Sequence, residues 1–231
     1  MKILFEHLLH HRVQIIDWFD TEKVEKISFY NNFMYREFTE DNFVCLVNDA
    51  DEPIGYIDYT ITKYTAKINV AMVKKTERKK GYAQLLLNEL IKKLIQNGVV
   101  VLSLDCVPAT TKKVWKKMGF KEFKEIENHK LLKYSNYKKP WLYKILVDTE
   151  KPTKKQKLNS YLELWTVDEQ QAKELKPSYR WDLQSQTKPI IYPVDGNWKV
   201  NYVENGTVME DYKIKNLHKG KIIEDYFLIL K

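Results

Sequence analysis

Glycine, proline and cysteine are scarce in this chain, and each scarcity excludes a class of protein. The 231 residues include 7 Gly and 7 Pro against 13% aromatic and 44% hydrophobic residues. This composition excludes collagen-like and disordered chains and is sufficient for a buried core. The two cysteines, Cys45 and Cys106, provide no disulfide framework, so we expect a reducing, cytoplasmic environment.

Long apolar runs are also lacking. The longest near-continuous run, VVVLSL at residues 99–104, is far shorter than the roughly 20 residues that span a bilayer. The N-terminal MKILFEHLLHHR has neither an uninterrupted apolar core nor a small-residue cleavage site. We therefore expect no membrane partner and no signal peptide.

What the chain does have is positive charge, +8 in total, concentrated in KKTERKK at 74–80 and KKVWKK at 112–117. Two short basic clusters favour a small polyanion over nucleic acid, which is typically bound by a continuous basic stripe. We therefore expect no nucleic-acid partner, although the net charge and the aromatic residues keep a nucleic-acid-associated protein as an alternative.

The organisation along the chain predicts two parts. A polar, lysine-rich stretch containing Pro152 predicts a linker over 149–157, between a domain at 1–148 and a small module at 158–231. Hydrophobic periodicity in the first part predicts these elements: a mainly helical region from about 3 to 30, strands at 43–47, 55–63 and 67–73, an amphipathic helix at 83–96, a buried strand at 99–107, a short helix at 108–117, and strands at 120–126 and 141–147.

The C-terminal part is predicted to be a small, mostly β or α+β module. It contains several strand-like runs, a hairpin turn at Glu204-Asn205-Gly206, a second turn at 218–220 and a helical stretch at 168–176. Its aromatic residues, Trp165, Trp181 and Trp198 among them, suit a core or a platform that stacks on sugars or bases.

The most informative stretch is TERKKGYAQLL, residues 76–86, which lies between a predicted strand and the amphipathic helix. The first turn of a helix has unpaired N–H groups and partial positive charge. Arg78, Lys79 and Lys80 add full charges, and Gly81 permits close approach of a ligand to the backbone. The pattern predicts a phosphate or pyrophosphate site, with a solvated charged turn as the alternative. The glycine spacing excludes a P-loop and a dinucleotide fingerprint.

The run Arg78-Lys79-Lys80-Gly81-Tyr82-Ala83 also matches the pattern Gln/Arg-x-x-Gly-x-Gly/Ala. It resembles the acyl-CoA pyrophosphate signature of the GNAT superfamily of N-acyltransferases. The preceding strand, the long helix, the next strand and the tail from Trp115 to Gly119-Phe120 follow in the family's order, so the resemblance covers 43–147. It implies an α/β fold with a GNAT-type mixed central sheet flanked by helices.

The same resemblance implies an acetyl-CoA-dependent N-acetyltransferase in which a primary amine attacks the thioester directly. Backbone groups of Met72 and Val73 would pair with the pantetheine arm. The N–H groups from Lys79 to Ala83, with Tyr82 among them, would hold the pyrophosphate. Lys112 and Lys116 would reach the adenosine phosphate or form an exposed helix face.

At the acceptor end the chain departs from the family pattern. Trp115 occupies the position of the usual tyrosine acid, and Pro108 that of the usual asparagine, so a catalytically silent CoA-binding module is an alternative. Solvent or a tyrosine such as Tyr82 would then have to protonate the thiolate. Ser103 stands where the family's carboxylate base is found. Asp105 shares its strand face and is the candidate base or amine anchor, with a strand-end cap as the alternative.

Several other residues are weaker candidates. Asp58 and Tyr59 would line the acceptor cleft. Cys106 is either an acylated nucleophile or a core thiol. His7, His10 and His11 lack the spacing of a known metal motif, so no metal is expected. The acceptor amine, the role of the C-terminal module and the oligomeric state, a homodimer included, are left open.

Overall fold

The computed structural model describes residues 1–5, 9–21, 43–106, 108–123, 140–155, 157–213 and 222–231. They form two compact units. Met1–Lys121 and Pro140–Leu146 make up the first, and the second contains Val147–Lys231 with Glu122 and Phe123. The predicted linker residues thus cluster with the second unit, and the predicted domain limits stay a prediction. Within this part of the chain, no helix is long and apolar enough to cross a membrane.

The first unit is built on a mixed sheet, which has seven strands in the described residues. In chain order these are β1 (Lys2–Leu4), β2 (Phe43–Val47), β3 (Pro53–Ile61), β4 (Thr65–Val73), β5 (Val101–Asp105), β6 (Lys121–Glu122) and β7 (Trp141–Ile145). Their spatial order is β1-β2-β3-β4-β5-β7-β6. β4 and β5 are parallel, whereas β1–β2, β2–β3, β3–β4 and β5–β7 are antiparallel.

In the part of the chain that the structure describes, three helices accompany this sheet: α1 (Leu9–Thr21), α2 (Tyr82–Gln96) and α3 (Lys112–Lys117). Short 3₁₀ turns at Lys75–Glu77 and Ala109–Thr111 precede α2 and α3. The prediction of a mainly helical stretch from 3 to 30 is wrong at its start, because Lys2–Leu4 pairs with β2 as a strand. Three residues are too few to display a period, and cross-strand pairing decided their conformation. Residues 22–30 lie outside the described part.

The sheet is covered on both faces. On one face α2 buries Leu86, Leu87, Leu90 and Leu94 against the strands, at the spacing its sequence predicts. Ile95, which the same pattern placed in the apolar stripe, is 42% exposed, because it lies at the edge of that stripe in the last turn. On the other face α1 contributes Ile15 and Trp18 to a separate cluster with side chains of β2, β3 and β4. Each fully buried aliphatic side chain contributes about 1.5–3 kcal/mol.

The second unit is mostly β, as predicted. Its strands are β8 (Tyr161–Trp165), β9 (Tyr179–Asp182), β10 (Ile190–Pro193), β11 (Lys199–Glu204), β12 (Thr207–Lys213), β13 (Ile223–Glu224) and β14 (Phe227–Leu230). They form a sheet in the order β12-β11-β8-β9 and another in the order β10-β14-β13. A short helix, α4 (Glu169–Ala172), occupies only part of the predicted helical stretch. Asp168 caps it by accepting a hydrogen bond from the Gln171 N–H.

Local turn chemistry in this unit agrees with the sequence. Asn205 and Gly206 have φ of 50° and 76° and join β11 to β12 as the predicted hairpin turn. The run predicted as one strand at 222–230 is two strands, because Asp225 and Tyr226 turn the chain with positive φ. Trp181 is buried in the core of the unit, as tryptophans in small domains commonly are, and does not form an exposed stacking platform. The turn predicted at 218–220 lies outside the described residues.

Candidate functional site

The predicted anion site is a loop with an unusual backbone. β4 leads through the 3₁₀ turn into residues 78–81, and α2 begins at Tyr82. Lys79 and Gly81 have φ of 66° and 85°. Left-handed residues in a turn can direct successive N–H groups into one concavity that binds anions. A side chain at Gly81 would meet no atom within 4 Å, so the requirement for glycine there is conformational, and the space above it is open.

The N–H groups in this concavity have no acceptor. Among the hydrogen bonds of the described chain, none uses the N–H of Lys79, Lys80, Gly81, Tyr82 or Ala83 as donor. The start of α2 has no side-chain cap and no acidic residue in its first turn. Free donors and an uncompensated helix dipole therefore combine at one point, as a bound phosphate requires.

The basic side chains around the loop have different roles. Arg78 donates from Nε to the Val73 carbonyl, 2.9 Å away, and so ties the loop to the end of β4. Lys80 Nζ forms an ion pair with Glu77 at 2.9 Å, and the hydrogen bond to Glu77 raises the pKa of Lys80. We infer that the backbone N–H groups, rather than Arg78, are the part of this loop best placed to hold an anion.

An apolar cleft of about 200 Å³ adjoins the loop. It is lined by five predicted residues: Met72, Val73, Arg78, Ala83 and Trp115. Sequence reasoning missed the other lining residues, Tyr56, Ile57, Ala71, Leu86, Thr111, Val114 and Met118. They come from β3, β4, α2, α3 and the residues on either side of α3, and most look like ordinary core residues in the sequence. Val114 of α3, an apolar residue among lysines that is 50% exposed, is the feature that could have indicated a binding surface.

The cleft lies beside the part of β4 that extends beyond its pairing with β5. Their pairing runs from Thr65–Val101 to Ile68–Leu104, whereas β4 continues to Val73. A register shift in the β3–β4 ladder leaves Asn69 as an extra residue between Ile68 and Val70. Such a bulge bends and twists a strand. Beyond Asn69, β4 has no pairing with β5 in the described residues, and its residues Ala71, Met72 and Val73 line the cleft.

The remaining predicted cofactor residues do not line the cleft. Lys79, Lys80, Gly81 and Tyr82 form the loop at its mouth, and Lys112 and Lys116 lie on α3. Thr111 and Trp115, adjacent to those two lysines in the sequence, do line it. The predicted residues thus fall around one region of the first unit, although the roles assigned to them stay predictions.

Trp115 lies at the cleft wall. Its ring packs edge-on against Phe120, with centroids 5.2 Å apart and an angle of 73° between the planes. Tyr56, a cleft residue that the sequence did not indicate, is fully buried, and burial raises its pKa well above the usual value. Tyr56 therefore keeps its proton at neutral pH. Tyr82, the alternative acid considered from sequence, is not among the lining residues.

The polar residues predicted for the acceptor lie on the sheet face opposite α2. Ser103 is buried and donates to the Ala66 carbonyl at 3.3 Å. Asp105 is half-exposed and pairs with Lys67 Nζ at 3.0 Å. Leu104 and Cys106 belong to the core cluster beneath α2, so the predicted alternation of this strand is confirmed.

A second carboxylate lies on the same face. Asp58 is only 5% exposed and accepts a hydrogen bond from Asn69 Nδ2 at 2.7 Å, at the bulge itself. Tyr59 packs in the core cluster on the α2 side. Asp58 and Tyr59 therefore lie on opposite faces of the sheet, as consecutive strand residues do, and the prediction that they line the acceptor cleft stays a prediction.

The two cysteines are core residues. Cys106 is buried, with its Sγ 3.3 Å from Thr111 Oγ1. Cys45 is buried on the α1 side, and desolvation raises its pKa to about 12. Neither environment activates a thiol, because a reactive cysteine needs a stabilised thiolate. The buried position favours the core-thiol alternative for Cys106.

These features define a class of protein: an α/β chain with unpaired N–H groups at a helix N-terminus, within the described residues, beside an apolar cleft. The model of the acetyltransferase (GNAT) domain family matches residues 15–140. That is more than half of the chain, and the chain belongs to this family. The β-sheets of the second unit lie beyond the matched residues.

Several solved structures are similar to this chain. A GNAT-family acetyltransferase from Staphylococcus aureus Mu50 has 15% identity and a TM-score of 0.50, over 63% of this chain and 99% of that one. The aminoglycoside 6'-N-acetyltransferase of Enterococcus faecium has 16% identity and a TM-score of 0.48, over 65% and 99%.

The N-acetylglutamate synthase of Neisseria gonorrhoeae, solved with coenzyme A and N-acetyl-glutamate, has 17% identity and a TM-score of 0.47 over 64% of this chain. This chain spans only 35% of that enzyme. No curated protein gives a significant match. At 15% identity, the similarity to the Staphylococcus aureus structure shows the fold alone.

Proposed function

We propose that this chain is an acetyl-CoA-dependent N-acetyltransferase that moves an acetyl group to a primary amine by direct attack. The observation that carries the proposal is the row of unpaired N–H groups from Lys79 to Ala83, set at the mouth of an apolar cleft. A pyrophosphate joined to a long, weakly polar arm fits both parts at once. Membership of the family makes CoA the natural candidate.

In this proposal the donor lies along the end of β4. Backbone groups of Met72 and Val73 pair with the amides of the pantetheine arm, since β4 has separated from β5 there. The pyrophosphate accepts hydrogen bonds from the loop at 79–83. Lys112 and Lys116, on α3, provide positive charge for the adenosine phosphate. The apolar side chains that line the cleft pack against the pantetheine arm.

The reaction forms one C–N bond and breaks one C–S bond. The amine nitrogen attacks the thioester carbonyl and loses a proton, and the CoA thiolate leaves and gains one. We assign Asp105 as the base or as the anchor of the amine. Its carboxylate is engaged by Lys67, so the incoming amine must displace that lysine. Ser103, buried beneath them on the same face, fixes the local geometry of β5. Asp58 is the second carboxylate available to the amine.

Trp115 decides how the thiolate is protonated. An indole N–H donates hydrogen bonds but is not a practical acid, so solvent is the proton source in the wild type. A Trp115→Tyr variant should therefore release CoA faster if protonation limits the rate. If Trp115→Tyr keeps the Kd for CoA and the rate does not change, a step other than thiolate protonation limits the rate.

A thiol-release assay tests the proposed activity. Purified protein, acetyl-CoA and a panel of polyamines, aminoglycosides, amino acids and peptide N-termini should give CoA release with at least one acceptor. Binding of CoA without release across the panel would favour the silent CoA-binding module, which the tryptophan at 115 also suggests. Absence of CoA binding would contradict both.

A further inference from the structure

Two histidines of α1 and one aspartate converge at the end of the first sheet, in a place that the proposed acetyl transfer does not use. His10 Nε2 lies 3.1 Å from Asp51 Oδ2, and His11 Nε2 lies 3.3 Å from the same oxygen. One ligand-type atom from each of the three residues falls within 4.8 Å of the others. The two histidines stand out in the sequence but Asp51 does not, because Asp51 is about 40 residues away from them and belongs to the turn between β2 and β3.

The spacing of these atoms fits a tetrahedral metal ion. With zinc–ligand bonds of about 2.0–2.2 Å, neighbouring ligand atoms of a tetrahedron are about 3.3 Å apart. The observed separations of 3.1 and 3.3 Å are close to this value. Two imidazole nitrogens and one carboxylate oxygen make up a donor set that zinc accepts in proteins.

The cluster is buried on one side and open to solvent on the other, as in a metal site with one open coordination position. His11 is 1% exposed, so its ring is held in place by packing. His10 and Asp51 are both more than half-exposed, so a cation and a water ligand can reach the group from that side.

The Nε2 atoms of both histidines can bind a metal ion once they carry no proton. Without metal, each Nε2–H donates to Asp51, from His10 to the carboxylate and from His11 to the main-chain carbonyl at 3.2 Å. The buried Nδ1 of His11 has no partner among the described residues. An ion at Nε2 of His11 would replace the hydrogen bond to Asp51, and the ring proton would then be carried on Nδ1.

We propose that His10, His11 and Asp51 form a structural site for a divalent transition-metal ion, with Zn²⁺ as its most suitable occupant. The ion joins the start of α1 to the turn between β2 and β3 through three protein ligands, and water completes the tetrahedron. The site lies outside the cleft residues, so its failure leaves the proposed acetyltransferase activity untouched, and the reverse also holds.

Metal titration of the full chain without an affinity tag tests the proposal. Zn²⁺ in competition with a chromophoric chelator should bind at about one equivalent with micromolar affinity or better, and Co²⁺ should give the intense visible absorption of a tetrahedral site. His10→Ala and Asp51→Asn should each weaken Zn²⁺ binding by at least about tenfold. Zn²⁺ should raise the melting temperature of the wild type and of neither variant.

The variants and their control are chosen so that a loss of Zn²⁺ binding cannot be due to misfolding. Asp51 has φ of 60°, a conformation that asparagine also tolerates, and His10 is half-exposed. Asp49→Asn removes the same charge from the same turn, outside the cluster, and should change affinity by less than about twofold. No saturable Zn²⁺ binding, or wild-type affinity in His10→Ala and Asp51→Asn, would overturn the proposal and leave a hydrogen-bonded cluster only.

Discussion

The donor and acceptor sides of the first unit are built in different ways. The loop at 78–81 and the start of α2 are one continuous stretch of sequence, and their free N–H groups follow from local conformation. On the proposed acceptor face, Lys67 and Asp105 come from two strands and pair only through register, and Asp58 comes from a third strand. A short motif can therefore reveal the donor site, whereas the acceptor site depends on long-range pairing.

The largest expected effect is on the donor side. Gly81→Glu forces a side chain into φ of 85° and adds a negative charge where the pyrophosphate binds. Strain and repulsion together should weaken CoA binding roughly 1,000-fold by calorimetry. Gly206→Glu is the control, because Gly206 has φ of 76° and equally open surroundings in the second unit. Equal weakening by both variants would mean a general loss of stability.

The next largest effect belongs to the acceptor side. Asp105→Asn should lower kcat/KM for the amine roughly 100-fold without changing the Kd of CoA. The loss should shrink as pH rises, because more of the amine is then neutral before it binds. Asp211→Asn breaks a comparable exposed pair with Lys199 in the second unit and should leave activity unchanged. Full activity of Asp105→Asn at every pH would remove Asp105 from the mechanism.

A smaller effect is expected at the wall of the cleft. Val114 is 50% exposed and lines the cleft, so Val114→Trp should narrow it and raise the KM for acetyl-CoA roughly tenfold, with little change in melting temperature. Val208→Trp, at a valine that is 59% exposed in the second unit, provides the matched control. An unchanged KM for Val114→Trp would place the pantetheine arm elsewhere.

The smallest effect is expected at Cys106. The thiol is buried in the core, and direct attack requires no acyl-enzyme, so Cys106→Ala should change kcat by less than about twofold. Mass spectrometry of the wild type mixed with acetyl-CoA should detect no acetylated cysteine. A covalent acetyl adduct that the variant cannot form would replace direct attack by a two-step transfer.

The same contrast explains which parts of the molecule the sequence could predict. The amphipathic pattern gave α2 almost to the residue, and Gly81 and the charges around it indicated the anion site. Turn chemistry identified the β11–β12 hairpin at Asn205 and Gly206. These features are local, because neighbouring residues are sufficient to determine them.

Features that depend on distant residues could not be predicted. β9 has only four residues, and its strand character comes from pairing with β8. The bulge at Asn69 and the cleft that it opens depend on the registers of β3 and β5 with β4. Tyr59 was assigned to the acceptor side because its neighbour Asp58 lies there, and only the observed faces separate the two.

The central claim is that the N–H groups at the start of α2 hold the pyrophosphate of CoA. Calorimetry with CoA and with phosphate-free pantetheine tests it most directly, since the two ligands share the arm that enters the cleft. The account predicts micromolar binding of CoA and at least about 100-fold weaker binding of pantetheine. Equal affinities for the two ligands, or no binding of CoA, would contradict it.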